Sequence, residues 1–193
     1  MRFVEHYNIA KEVSGGHYTI PYLLGSCLPD WFERFRLHRT KESLDIILDR
    51  IELVKKMQPG VTKDYLLGTI MHYLCDFSCY AHSDKYYDFL HHRIFEVKEQ
   101  RYFKRIFRKP FITRARFFYN KYHNKPNFIE KVVMKHDITI ENLNCKKWWN
   151  SKEIMKIDLV YAYRLCYYVY QYVNYDNTIT YDERNIVNAS TYN

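Results

Sequence analysis

Glycine and proline are scarce in this sequence, with five of each among 193 residues. Both residues interrupt regular structure and supply the turns of β-rich folds, so their scarcity favours long helices. No long alternation of apolar and polar residues predicts strands, and we find no repeat or low-complexity tract. We therefore predict an all-α fold of about six to nine helices, packed as one compact domain over residues 1–193 with a polar tail from about residue 175.

A long apolar run is also missing. No stretch approaches the roughly 18–20 apolar residues that a membrane-spanning helix needs. The first residues, MRFVEHYNIAKEV, show neither an apolar core nor a small-residue cleavage site. We therefore expect no transmembrane segment, no signal peptide and a cytoplasmic location, with peripheral membrane contact as an option. Five unpatterned cysteines are typical of reduced, mostly buried thiols.

Lysine and arginine, 30 together, outnumber the 22 acidic residues, which gives a net charge of +8 with histidine neutral. This charge favours an anionic partner such as a phosphodiester, an anionic membrane surface or nucleic acid. Many proteins without such partners are basic too, so the charge alone does not choose among them.

Side chains that can bind zinc are concentrated in one part of the sequence. His72 and Asp76 are four residues apart, and so are His92 and Glu96. Residues four apart on a helix share one face, one turn apart. Two such helices facing each other would direct four ligands into one gap, as in metal sites of helical bundles.

His82 needs a break in the helix. It follows Asp76 by six residues, or about 600° of rotation at roughly 100° per residue, and would face away on a regular helix. We therefore expect the helix to end or bend near Ser78–Ala81. Two further candidates lie upstream, Asp30 in a helix-breaking L-P-D and His38 eight residues later.

Simpler interpretations exist for each piece. A lone buried histidine is usually a hydrogen-bonded core residue, and a His–Asp pair at i,i+4 is often a surface ion pair. Two helical pairs with a linking histidine are more than either interpretation predicts, and mixed imidazole and carboxylate ligands suit zinc. Cys79 offers a soft fourth ligand, although core packing is our interpretation of both Cys75 and Cys79.

The order and spacing of these motifs resemble the bacterial zinc-dependent phospholipase C family, which is structurally related to the S1/P1 nucleases. The matching pieces are G-S-x-L-P-D at Gly25–Asp30, His38, the L-G-x-x-x-H-Y-x-x-D-x-x-x-x-x-H segment Leu67–His82, and H-x-x-x-E at His92–Glu96. The motifs cover about residues 1–100.

The resemblance implies an all-α fold of the phospholipase C and P1 nuclease type around two or three zinc ions. The ligands it implies are His38, His72 and Asp76 for one zinc, His82, His92 and Glu96 for another, and His6 for a third, towards which Asp76 also reaches. Asp30 would lie beside the metals, as a ligand and as the general base. Secreted members bind the third zinc through an N-terminal Trp, whereas this chain begins Met1-Arg2, so occupancy of that site is open. His17 is the alternative to His6.

The implied activity is hydrolysis of a phospholipid or a small phosphodiester, because zinc acidifies water and yields a hydroxide that attacks phosphorus. Trp31 and Phe35 occupy the positions of aromatics that bind phosphocholine in the family, where a cation–π cage is physically sensible. Packing beneath the loop is their alternative role, and Arg34 and Arg36 would favour phosphate over choline. Two alternatives stay open for the whole chain: a single-strand nuclease of the S1/P1 type, and a non-catalytic metal-binding helical protein.

Overall fold

The structure is a computed structural model that describes residues 3–29, 41–82, 89–106, 109–122, 127–144 and 147–175. These ranges contain eight α-helices and no strand, which confirms the predicted all-α class. The helices are α1 (Phe3–Val13), α2 (Ile20–Cys27), α3 (Lys41–Lys56), α4 (Val61–Phe77), α5 (Phe89–Arg105), α6 (Lys109–Tyr122), α7 (Phe128–Glu141) and α8 (Lys152–Tyr175).

The longest of these helices, α8, contacts α1, α4, α6 and α7. Leu159, Tyr163, Cys166 and Val169 are all 0% exposed, and their spacing of four, three and three residues keeps them on one face. The opposing helices therefore pack against a continuous apolar stripe. The polar tail that we predicted after this helix, residues 176–193, lies outside the described residues.

Helices α2 and α4 cross in close contact. A Cβ atom added at Gly68 would collide with the carbonyl oxygen of Tyr22, and one added at Gly25 would collide with that of Tyr65. The hydroxyl of Thr19, the N-cap of α2, donates to Asp64 Oδ2 at 2.8 Å. Two glycines and one capping contact thus hold α2 against the helix that carries His72.

The break that we predicted after Asp76 is present. Helix α4 ends at Phe77, and a single turn of 3₁₀ helix follows at Tyr80–His82. The Ser78 hydroxyl donates to the carbonyl of Leu74 at 2.9 Å and satisfies one of the last acceptors of the helix. The helix begins at Val61, with Gly60 at the N-cap.

The sequence of residues 137–150 predicts a loop with a possible turn of helix, and the first part of this prediction is wrong. Helix α7 continues to Glu141, and only Trp148–Asn150 form a short 3₁₀ turn. The β-branched residues of this segment lower its helix propensity, but Ile140 is 2% exposed. Burial of its side chain against the core outweighs the weak local preference.

No helix in the described part of the chain combines the length and the apolarity that a membrane span requires. Four of the five cysteines lie in that part; Cys27, Cys75, Cys79 and Cys166 are buried free thiols.

Candidate metal centre

The first group of ligands lies where α1 meets α4. His72 and Asp76 are one turn apart on α4, with His72 Nε2 3.2 Å from Asp76 Oδ2. His6, on α1, places its Nε2 atom 3.4 Å from Asp76 Oδ1. The rings of His6 and His72 stack with their centroids 4.1 Å apart. Two imidazoles and a carboxylate therefore converge at one point.

The second group joins the 3₁₀ turn to α5. His92 Nε2 is 3.2 Å from Glu96 Oε1, and His82 Nε2 is 3.8 Å from the same oxygen. The end of α4 at Phe77 lets His82 turn back towards α5. The helical pair and the linking histidine thus lie in one cluster.

Asp76 connects the two groups. Besides its contacts with His6 and His72, its Oδ1 atom is 3.9 Å from His82 Nε2. The side chain is 14% exposed, so it is accessible at one edge while its oxygens face inward. A carboxylate in this position can bridge two neighbouring ions.

Burial and mutual charge hold four of the ligands in metal-binding protonation states. Burial lowers the pKa of His6 and of His82, which favours neutral imidazoles. Burial alone would raise the pKa of Asp76, but the facing His82 and His72 hold it well below its usual range. The facing imidazoles of His82 and His92 likewise lower the pKa of Glu96 against the effect of burial. Neutral imidazoles and ionised carboxylates are the forms that bind zinc.

The residues fit zinc. Both ring nitrogens of His6 and Nε2 of His92 are buried, and no hydrogen bond of normal geometry reaches them from the described residues. Ligands about 2.0–2.2 Å from one zinc ion at tetrahedral angles are about 3.3–3.6 Å apart. The His–Asp and His–Glu separations of 3.2–3.4 Å match that value, whereas those of His82, at 3.8 and 3.9 Å, are longer.

One residue beside the centre was not recognised from sequence. The Ser26 carbonyl lies 3.2 Å from His72 Nδ1. A carbonyl can only accept, so Nδ1 carries the proton and Nε2 keeps its lone pair for a metal. Ser26 belongs to the G-S-x-L-P-D motif, but its role depends on a backbone atom, which a sequence pattern does not reveal.

Arg93 is a second unrecognised neighbour. Its guanidinium Nη1 lies 3.3 Å from Glu96 Oε2, and its side chain is 60% exposed. It therefore places a positive charge beside the second group. Its i,i+3 spacing from Glu96 is the only feature of the sequence that could have identified it.

The remaining predicted residues divide into two sets. His17 is exposed, and its carbonyl accepts from Tyr170 at 2.9 Å; its side chain joins neither group. The others lie outside the described residues: Asp30, Trp31, Phe35 and His38.

Comparison with known proteins gives one match. The family model for zinc-dependent phospholipase C matches residues 19–146, two thirds of the chain. The chain belongs to the zinc-dependent phospholipase C family. No curated protein and no solved structure matches it.

The family match spans the G-S-x-L-P-D segment, α4 and α5, and so contains most of the predicted ligands. His6 and α8 lie outside it. Membership of a zinc-dependent family agrees with the two ligand groups that the structure brings together. It also indicates a phospholipid as the class of substrate.

Proposed function

We propose that this chain is a phosphoric diester hydrolase that cleaves a phospholipid at zinc ions held by the two groups. The position of Asp76 supports this proposal most, because its oxygens face His6, His72 and His82 at 3.2–3.9 Å. A shared carboxylate between two ligand groups is the arrangement of centres in which neighbouring ions act on one phosphate.

The roles of the ligands follow from their positions. His6, His72 and Asp76 would hold one ion, and His82, His92 and Glu96 a second. Asp30 and His38, from residues 30–40, would complete the centre, and we expect two or three ions in all. Zinc bound there would polarise the phosphate and lower the pKa of water from about 15.7 to about 7.

The protein's own groups prepare this chemistry in three ways. The Ser26 carbonyl fixes the ring of His72, and burial keeps His6 neutral. The two carboxylates of the described groups balance only part of the charge of two dications, so the centre attracts an anionic diester. Asp30 would accept a proton from the attacking water. The bond from phosphorus to the alcohol oxygen then breaks and that proton passes to the leaving oxygen, giving a phosphomonoester and a free alcohol.

Substrate contacts are proposed from the sequence alone. Trp31 and Phe35 would face the head group, and Arg34 and Arg36 would favour its phosphate. The net charge of +8 favours peripheral contact with an anionic membrane. We expect cleavage of phosphatidylcholine in vesicles to increase when anionic lipid is added, and that increase to be lost at high salt.

The function is tested by replacing one buried ligand and one exposed histidine. His72→Ala should abolish diester cleavage and lower bound zinc, whereas His17→Ala should change neither, because His17 is exposed and outside both groups. Activity should be compared on phosphatidylcholine vesicles, a soluble chromogenic diester and single-stranded DNA. Preference for DNA would replace the phospholipase assignment with a nuclease, and zinc binding without cleavage of any diester would indicate a non-catalytic protein.

A further inference from the structure

A third cluster of ligand-type side chains lies in the interior, behind the second group. It consists of Cys79, Glu99 and Asp158, each 0% exposed, with one ligand atom from each within 4.8 Å of the others. Cys79 precedes His82 by three residues, and Glu99 follows Glu96 by three residues on α5. The cluster therefore joins the two segments that position the second group to α8.

Asp158 is held as an oriented carboxylate. Its Oδ1 atom accepts from His136 Nε2 at 2.8 Å, and its Oδ2 atom accepts from the backbone N–H of Tyr80 at 3.0 Å. Each carboxylate oxygen has a second lone pair, so these bonds leave Asp158 able to bind a cation. A buried donor that orients a carboxylate is the kind of outer contact that surrounds protein metal ligands.

Glu99 points to a missing positive charge. Its Oε2 atom lies 3.8 Å from the Cys79 sulfur, and no hydrogen bond from the described residues reaches its Oε1 atom. A fully buried carboxylate with an oxygen that accepts no hydrogen bond destabilises the fold unless it binds a metal ion or a proton. Burial raises the pKa of Glu99 well above its usual range, and the nearby carboxylates of Glu5 and Asp158 raise it further.

The spacing suits a metal ion. A sulfur about 2.3 Å and an oxygen about 2.1 Å from one tetrahedral zinc ion are about 3.6 Å apart. The observed 3.8 Å between Cys79 Sγ and Glu99 Oε2 is close to this value. A thiolate with two carboxylates suits a cation of borderline softness such as zinc better than magnesium or calcium.

We propose that Cys79, Glu99 and Asp158 bind a zinc ion in a buried structural site, separate from the two groups around Asp76. The ion neutralises the buried carboxylates and ties α5 and α8 to the segment that ends in His82. Because all three ligands are 0% exposed, substrate does not reach the ion, and the site plays no part in diester cleavage. The proposal does not depend on the proposed function.

Cobalt substitution tests the proposal with a spectroscopic readout. The full chain is loaded with Co²⁺ in place of zinc, and bound metal is counted in parallel. The two groups around Asp76 contain only nitrogen and oxygen ligands, so a thiolate-to-cobalt charge-transfer band reports a cysteine ligand. We expect the wild type to show this band, and Cys79→Ser to lose the band and one metal ion per chain.

Cys166→Ser is the matched control. Cys166 is also 0% exposed, and a serine hydroxyl can donate to the Met71 carbonyl as the thiol does at 3.6 Å. This variant should keep the band and the full metal count. Absence of the band from the wild type, or its survival in Cys79→Ser, would overturn the proposal.

Glu99→Gln keeps the test decisive if Cys79→Ser does not fold. The amide has the same shape as the carboxylate, and the thiol is retained, but the charge that holds the cation is gone. We expect a folded protein, by circular dichroism, with one metal ion fewer and a weakened band. An unchanged band and metal count would mean that Glu99 is a buried neutral acid and that no ion binds here.

Discussion

Asp76 is the residue on which the proposed centre depends most. Its carboxylate faces imidazoles from α1, from α4 itself and from the 3₁₀ turn. Asp76 belongs to the first group, and its Oδ1 atom also lies 3.9 Å from His82 of the second group. Removing the charge of Asp76 should therefore affect both groups, whereas removing His92 should affect one.

Asp76→Asn should lose zinc from both groups. The amide matches the carboxylate in shape but lacks the negative charge, so we expect each zinc affinity to fall by more than roughly 100-fold, the upper range for changes outside the direct ligands. Zinc bound after dialysis gives the measurement. His92→Ala is the comparison and should lose only the ion of the second group. An Asp76→Asn protein that keeps the zinc content of the wild type would show that Asp76 is not shared.

Glu99→Gln should stabilise the protein when all metal has been removed. The folded-state pKa of Glu99 is raised above its ordinary value of 4.5, so the folded state binds more protons than the unfolded state above that pH. Stability is then lost as pH rises, and the neutral amide avoids this loss. We expect a gain of about 1–3 kcal/mol at pH 7, the typical cost of an unsatisfied buried polar group, and little gain near pH 4.

Urea unfolding of the metal-free wild type and variant at the two pH values measures this difference. A gain of equal size at both values would exclude ionisation of Glu99 as its cause.

At the scale of the helices, the contact between α2 and α4 positions the ligands of the first group. Gly25 and Gly68 permit the backbones to touch, and this contact brings the Ser26 carbonyl to His72 Nδ1. Gly68, one turn before His72, therefore has a specific role: it lets the neighbouring helix α2 orient the imidazole of His72.

Gly68→Ala should separate these helices. The added methyl group would collide with the backbone of α2 at Tyr22, and backbone cannot move aside as a flexible side chain can. We expect a loss of about 1–3 kcal/mol in the free energy of unfolding, the usual cost of overpacking, together with weaker zinc binding.

Gly60→Ala is the control, because a Cβ atom there has no neighbour within 4 Å and φ is 160°, an extended conformation. Urea unfolding and zinc titration of both variants would check the prediction. Equal effects in the two variants would rule out the helix contact as the cause.

The helices also show which features local sequence could predict. The four-residue spacings of His72–Asp76 and His92–Glu96 determine a shared face on any helix, and the rotation to His82 required a break that the structure contains. The length of α7 was missed, because burial of Ile140 is a long-range effect. Glu99 and Asp158 were missed for the same reason: they meet only once α5 and α8 pack together.

At the scale of the whole molecule, the two described groups draw ligands from α1, α4, the 3₁₀ turn and α5. The position of His6 beside His72 depends on the docking of α1, so sequence could nominate this residue but not place it in the first group. A centre built from distant segments does not exist in the unfolded chain. Zinc binding should therefore stabilise the fold.

Adding zinc to the metal-free protein should raise its stability in proportion to the logarithm of the zinc concentration. At a free concentration 100 times the dissociation constant, one site contributes about 2.7 kcal/mol. Thermal unfolding over a zinc series measures this effect, and His72→Ala should reduce its slope. An unfolding temperature that does not change with zinc would show that zinc binds the folded chain no more tightly than the unfolded chain.

Zinc ions held by the two groups around Asp76 can be located by anomalous scattering at the zinc edge from crystals of the full chain. We expect one peak within ligand distance of His72 and Asp76, and a second within ligand distance of His82, His92 and Glu96. A map without anomalous density at either group, from protein purified without chelator, would show that these groups hold no zinc.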